Sequence, residues 1–277
     1  VWRPLKVLEA EKGIRISAVP CDNKGMLDPQ DLKKAIRKDT RLIVLLHASN
    51  VTGGLLPIAD VGAIAREYGI PFLVDAAQTA GAYPIDVETM KIDILAFTGH
   101  KGLLGPMGTG GLYVKKDISL RPLIEGGTGG DSLLEHQPDD LPDRFEAGTM
   151  NISGIAGLGE AIRFILNETV EKIRRREEKL ALSAISGLSG IEGVTLYGTN
   201  EWENRVGVIS FNVMGRTSQE IGYLLDERYD IMVRTGLHCA PCAHRTIGTI
   251  DRGTVRAGIG YFNTQDDIAR FIEAIKD

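Results

Sequence analysis

Short apolar runs of strand length alternate with stretches of helical periodicity through the first half of the chain, and this order restricts it to an α/β architecture. Residues 14–20, 41–48, 71–76, 93–98 and 110–114 read as strands. Between them, residues 28–38 form a helical pattern that opens on a capping Asp28 with Pro29 at the first helical position. A second helical pattern over 58–68 is closed by Gly69. The apolar runs are continuous rather than alternating, which predicts a largely parallel sheet covered on both faces by helices.

Residues 115–150 break this rhythm with clustered glycines and prolines and read as a long functional loop or arm. A long helical pattern over 154–188 follows, and its middle, Glu171 to Lys179, is charged nearly all round, which reads as a solvated face supported by a Glu171–Arg175 pair. Strands are expected at 194–197, 206–213, 231–234 and 254–258, with helices at 218–227 and 265–275. We therefore expect a large domain over 1–154 and a smaller α/β domain over 155–277.

A net charge of -5 argues against a nucleic-acid or anionic-membrane surface as the main partner. No apolar run approaches the roughly 18–20 residues of a membrane span. Cys21, Cys239 and Cys242 are too few for a disulfide framework, so a reducing, cytoplasmic setting fits. Cys21, at the end of an apolar run, reads as a small buried hydrophobe. The chain opens on Val1 without a leader pattern, and the expectation is that its native N-terminus lies further upstream.

Two strand ends carry the densest chemistry: Val74-Asp75-Ala76-Ala77-Gln78 and Phe97-Thr98-Gly99-His100-Lys101. In a parallel sheet, functional groups collect at the carboxyl ends of strands. Asp75 closes an apolar run, so its carboxylate needs a cation or donors. A lysine that is desolvated or beside other cations has a lowered pKa and a nucleophilic amine, so Lys101 suits Schiff-base chemistry. With pyridoxal phosphate, Asp75 would pair with the pyridinium nitrogen, Gln78 would reach the phenolic oxygen, and Thr98 and His100 would hold the phosphate. Taken singly, Asp75 also reads as a helix cap, Lys101 as a surface charge and His100 as a loop histidine.

Together with Ser49-Asn50-Val51-Thr52-Gly53, Arg144-Phe145-Glu146-Ala147-Gly148-Thr149 and Arg234-Thr235-Gly236-Leu237-His238-Cys239-Ala240, these segments resemble the ordered motifs of class V aminotransferase-fold enzymes, specifically cysteine desulfurases and selenocysteine lyases. The resemblance implies the aspartate aminotransferase-like fold of pyridoxal-phosphate enzymes, with a large, mostly parallel sheet domain, a smaller C-terminal domain, and an N-terminal part preceding Val1. It also implies that Lys101 is the Schiff-base lysine, that Asn50 lies by cofactor and substrate, and that Arg256 grips the substrate carboxylate. Thr149 would reach the phosphate of the other subunit of a homodimer with shared sites. Cys239 would attack the sulfur of L-cysteine, leaving a persulfide for a sulfur-acceptor protein and releasing alanine, with His238 and Arg234 placed to favour its thiolate.

Other readings stay open. They are a selenocysteine lyase, another class V reaction such as transamination, or a cofactor-free regulatory or metal-binding module built on Cys239, Cys242, His238 and His244. A Cys239–Cys242 redox pair also has the right spacing. Glycine makes up 33 of 277 residues, and ten of these fall between Gly99 and Gly130. That concentration is expected to mark the active-site wall, where backbone must approach closely.

Overall fold

The computed structural model describes residues 1–130 and 133–277. After helix α1 (Trp2–Lys12), the apolar runs of the first half pair as sequential neighbours in one sheet, β1 (Ile43–Leu46), β2 (Phe72–Asp75), β3 (Ile94–Thr98) and β4 (Gly110–Val114). The first three are parallel and β4 is antiparallel to β3. The register places Asp75 opposite Leu46 on one side and Ala96 on the other, so the carboxyl ends of β1, β2 and β3 lie together.

Helix α2 (Pro29–Ala35) begins as its sequence indicates, with the Asp28 side chain accepting from Gln30 N–H, but it stops three residues short of Lys38. Helix α3 (Ile58–Glu67) buries Ile58, Val61, Gly62, Ile64 and Ala65, a face with helical spacing that packs on β2. Phe72 and Val74 beneath it are fully buried, and side chains of this kind each contribute about 1.5–3 kcal/mol relative to exposure. The strand expected at 14–20 does not form. An apolar run becomes a strand only where a neighbour accepts its backbone hydrogen bonds; here Ile14 is exposed, and Val19 and Cys21 pack singly against the first core.

The long helical pattern is two helices, α4 (Ile152–Glu168) and α5 (Val170–Ser189), broken at Thr169, whose φ is +70°. A second sheet follows, built from β5 (Val194–Tyr197), β6 (Val208–Val213), β7 (Arg234–Gly236) and β8 (Thr254–Gly258). It is antiparallel throughout, in the order β5-β6-β8-β7. With α5, α6 (Ser218–Tyr229) and α8 (Gln265–Lys276) it encloses a core that includes Leu180, Leu188, Ile209, Phe211, Val255 and Phe271. A short helix, α7 (Pro241–Thr246), lies between β7 and β8 and was not evident in the sequence pattern.

The charged middle of α5 is not a wholly solvated face. Glu177 is buried, and Arg174 lies over the rings of both Tyr83 and Trp202 while donating to the carbonyls of Arg205 and Trp202. Lys172 pairs with Glu168 rather than Glu171 with Arg175. The period-3.6 pattern identified the helix, but the burial of its polar side is set by what α5 packs against.

Candidate active site

The turn after β1 is what joins the two sheets. Residues 49–54 leave the first sheet and enter the second: Ser210 Oγ donates to Val51 O (2.6 Å), Val206 N–H to Gly53 O (2.9 Å) and Leu55 N–H to Asn204 O (2.8 Å). Gly53 has φ +73°, and a Cβ there would strike the Val208 carbonyl, so only glycine fits this approach. Fully buried Arg205 ties the junction by donating to the carbonyls of Thr199 and Val208. Burial pulls its guanidinium down to about 10, below the ordinary arginine range.

Asn50 is thereby held between sheets. Its side-chain amide donates to His238 O (2.8 Å), and its own carbonyl accepts from Arg256 Nη1 (2.9 Å). Arg256 sits on β8 opposite Arg234 of β7, and Arg234 Nη2 donates to Cys239 Sγ (3.3 Å). Burial, and then the Arg234 charge, lower the Arg256 guanidinium, while Cys239 acts in the opposite sense. Two guanidiniums and a thiol therefore share one electrostatic environment.

Lys101 faces the same environment from the first sheet. The residue as a whole is exposed, yet desolvation lowers its amine, Asp75 opposes that shift, and the Arg256 and Arg234 charges reinforce it. The cations anticipated beside Lys101 are thus the two arginines of the second sheet. Asp75, at the end of β2, accepts from Ala77 N–H (3.0 Å), and at the end of β3 Thr98 Oγ1 is hydrogen-bonded to His100 Nδ1 (2.8 Å). Gln78 is half-buried in the turn after Asp75. That turn lies against the one following Lys101: a Cβ at Gly81 (φ +85°) would overlap the Gly102 carbonyl, and one at Gly102 would lie 2.6 Å from Ala80 O. Backbone packing of this kind fixes the lysine's origin more tightly than side-chain contacts would.

Other expectations are met differently. Thr149 is exposed on the 115–151 arm, and no hydrogen bond among the described residues joins it to the rest of the site. A Cβ at Gly127 or Gly129 would meet nothing and one at Gly126 only the Ala147 side chain, whereas Gly99, Gly102 and Gly105 are closely packed. His238 is not a cation beside the thiol: burial, followed by the charges of Arg256, His244 and Arg234, pushes its imidazole down to about 4, leaving Arg234 as the positive group at Sγ. Among the described residues, no group of three or more His, Cys, Asp or Glu side chains is arranged to hold a metal ion, and Cys239 and Cys242 are free, exposed thiols. No described helix is long and apolar enough to cross a membrane. Ser210 and Thr254 escaped the sequence reading as site residues, and His244 entered it only as a metal-ligand candidate; the one signal for the first two was a polar residue inside an otherwise apolar strand.

An amine of lowered basicity after the parallel strands of the first sheet, with a carboxylate near it and guanidiniums and a thiol on the second sheet's side, is an arrangement chemically suited to lysine and thiol chemistry. The model of the class V aminotransferase family matches residues 2–271. Over 275 residues the chain is 36% identical to a probable cysteine desulfurase of Methanothermobacter thermautotrophicus, covering 96% of this chain and 68% of that protein. It is 37% identical over 278 residues to one of Pyrococcus abyssi, covering 99% and 68%. The apo structure of a cysteine desulfurase from Thermococcus onnurineus NA1 superposes with a TM-score of 0.92 at 37% identity, covering 99% of this chain and 68% of that one. The chain belongs to the class V aminotransferases, in the cysteine desulfurase family. Enzymes of this family generally depend on pyridoxal phosphate.

Proposed function

We propose that the chain is a pyridoxal-phosphate-dependent cysteine desulfurase that converts L-cysteine to L-alanine and takes the sulfur as a persulfide on Cys239. The observation that carries this reading is the contact of Arg234 with Cys239 Sγ in the environment shared by Arg256 and Lys101. An ordinary transaminase has no use for a thiol in that environment.

The residues present fit the cofactor. A carboxylate at the end of β2, a nucleophilic amine, and a hydroxyl bonded to an imidazole at the end of β3 match a pyridine nitrogen, an aldehyde and a phosphate. The closed backbone at Gly81 and Gly102 gives them a rigid floor. Lys101 would hold the group covalently, Asp75 would pair with the ring nitrogen, Gln78 would donate to the phenolic oxygen, and Thr98 and His100 would bind phosphate. When bound, pyridoxal phosphate supplies an electron sink for the substrate's α-carbon.

Arg256, braced by the Asn50 carbonyl, takes the substrate carboxylate. Asn50 borders the same space. Lys101 removes and returns the α-proton, a task eased because its lowered pKa raises the fraction of free amine near neutrality. Cys239 attacks as thiolate: its Sγ bonds to the substrate sulfur, the substrate's C–S bond breaks, and that electron pair stays with the carbon fragment, which is protonated to alanine.

The large domain over 1–154 would then carry the cofactor and the smaller one over 155–277 the thiol. The arm bears Leu123, Ile124, Leu141 and Thr149, all exposed, which supports a homodimer in which Thr149 completes a neighbouring subunit's phosphate site. The exposed position of Cys239 suits hand-over of sulfur to an acceptor protein. Release of alanine and, under reductant, sulfide from L-cysteine by the holoenzyme tests the reading; keto acid in place of alanine would point to transamination.

A further inference from the structure

Cys239 stands on strained backbone. Its φ is +60° and that of His238 is +50°, a left-handed pair in which neither residue is glycine, and each such residue costs on the order of 1 kcal/mol or more unless its surroundings impose it. The imposing contacts come from two buried histidines at either end of the stretch 239–243, of which Cys239, Pro241 and Cys242 are exposed. His238 Nε2 is bonded to Thr254 Oγ1 (2.9 Å) on β8, two residues before Arg256, while its carbonyl receives the Asn50 amide (2.8 Å). His244 Nδ1 is bonded to Thr249 Oγ1 (2.7 Å), and its N–H donates to Ala240 O (3.2 Å).

The two rings lie 5.4 Å apart between centroids, and both residues are at least 98% buried. His238 Nδ1 and His244 Nε2 have no hydrogen-bond partner. Arg234 on β7 and Arg256 on β8 face His238, as does His244 itself, and Cys239 adjoins it, so a proton on either ring would add charge to an already cationic, desolvated space. Each imidazole has one bonded and one idle nitrogen, and the bonded nitrogen differs between the two.

We propose that His238 and His244 are positioning residues, a pair of imidazole latches that hold Cys239 in the left-handed conformation from which its thiol meets the substrate sulfur. The inference deepens the desulfurase reading and rests on it for the identity of the reacting sulfur. The latches act through one nitrogen each, Nε2 of His238 and Nδ1 of His244. A glutamine amide reaches about where Nε2 lies and an asparagine amide about where Nδ1 lies.

The test compares matched with mismatched variants of the holoenzyme. His238→Gln and His244→Asn keep the bonded position, whereas His238→Asn and His244→Gln lose it. After a single turnover with L-cysteine, mass spectrometry of the Cys239 peptide is expected to show persulfide in the matched pair. In the mismatched pair its formation slows by about a hundredfold, the scale of a small misplacement of a reacting group. The change in cofactor absorption on adding L-cysteine is retained in all four. Iodoacetamide labelling of Cys239 relative to Cys242 should stay at the wild-type ratio in the matched variants and change in the mismatched ones. Thr254→Val, which removes only the hydroxyl, should behave as mismatched and Thr254→Ser as wild type. Equal behaviour of matched and mismatched variants overturns the latch. If the wild type itself forms no persulfide, the desulfurase reading fails, and the labelling ratios still decide whether the latches exist.

Discussion

The lysine and the cysteine that share the environment of Arg234 and Arg256 are anchored by opposite means. Lys101 follows a regular strand, and the turn that carries it is pressed against the turn after Asp75 so closely that Gly81 and Gly102 cannot bear side chains. Cys239 follows a three-residue strand, has left-handed backbone, and is bracketed by buried imidazoles bonded to threonines. One anchor is backbone packing, which neither titrates nor rearranges easily; the other is a set of side-chain hydrogen bonds among buried ionisable groups. A group that must stay fixed while it moves protons suits the first, and a thiol that must reach a substrate and then an acceptor suits the second.

Substitution at the two reacting groups should break the site from either side. Lys101→Ala is expected to lower alanine formation by at least about a thousandfold, since both the covalent anchor and the proton carrier are lost. Cys239→Ser should abolish persulfide and lower sulfide release by about a hundredfold or more, because the hydroxyl is a far poorer nucleophile at neutral pH. Its cofactor absorption should still respond to L-cysteine, and absence of that response would mean that the cysteine also holds substrate. Arg256→Lys should cost about 2 kcal/mol in kcat/KM, mostly through KM, as a two-pronged carboxylate contact becomes a single one. An unchanged KM would assign the carboxylate elsewhere.

The difference in anchoring also decides what was legible in the sequence. Lys101, Asp75, Thr98 and His100 stand at the ends of apolar runs whose strand character follows from composition, so their convergence followed from parallel topology. The Cys239 side gave no such lead. His238 reads in sequence as a cation beside a thiol, and only burial against β8 and α7 makes it neutral. The same limit hid Glu177 and Arg174, which a helical wheel assigns to solvent, and left residues 14–20 looking like a strand when no neighbouring strand is there to pair with them. Local pattern fixes the element; partners distant in sequence fix what its polar residues do.

Gly81→Ala tests the backbone anchor directly. With φ at +85° and the Gly102 carbonyl in the path of a Cβ, the substitution should destabilise the fold by about 1–3 kcal/mol, read as a fall in the urea midpoint. It should also disturb Lys101 before Cys239, so that cofactor loading falls while iodoacetamide labelling of Cys239 holds. Equal effects on both would show that the two anchors are one cooperative unit.

The pH dependence of stability separates the two halves as well. Burial raises the Glu177 carboxyl from 4.5 to about 7, with Arg174 pulling the other way, whereas burial lowers the His238 imidazole from 6.5 to about 4. Between 4.5 and about 7 the folded state binds more of the Glu177 proton than the unfolded state does, so Glu177 erodes stability as pH rises through that window. His238 has the opposite sign. The unfolded chain binds its proton more readily between about 4 and 6.5, so its contribution is complete above 6.5 and is lost as pH falls towards 4, with Arg256, His244 and Arg234 all disfavouring the charge. Near neutrality the Glu177 penalty is fully developed and the His238 loss absent. Glu177→Gln should therefore stabilise the protein by up to about 3 kcal/mol above pH 7 and by little near pH 4.5. Because Glu177 lies on α5, remote from both reacting groups in sequence, turnover per folded molecule should not change. Denaturation midpoints of wild type and variant across that range would show the two curves converging in acid. Parallel curves would mean that Glu177 keeps an ordinary pKa, and that the buried ionisable groups of this half do not distinguish it from the half that anchors Lys101.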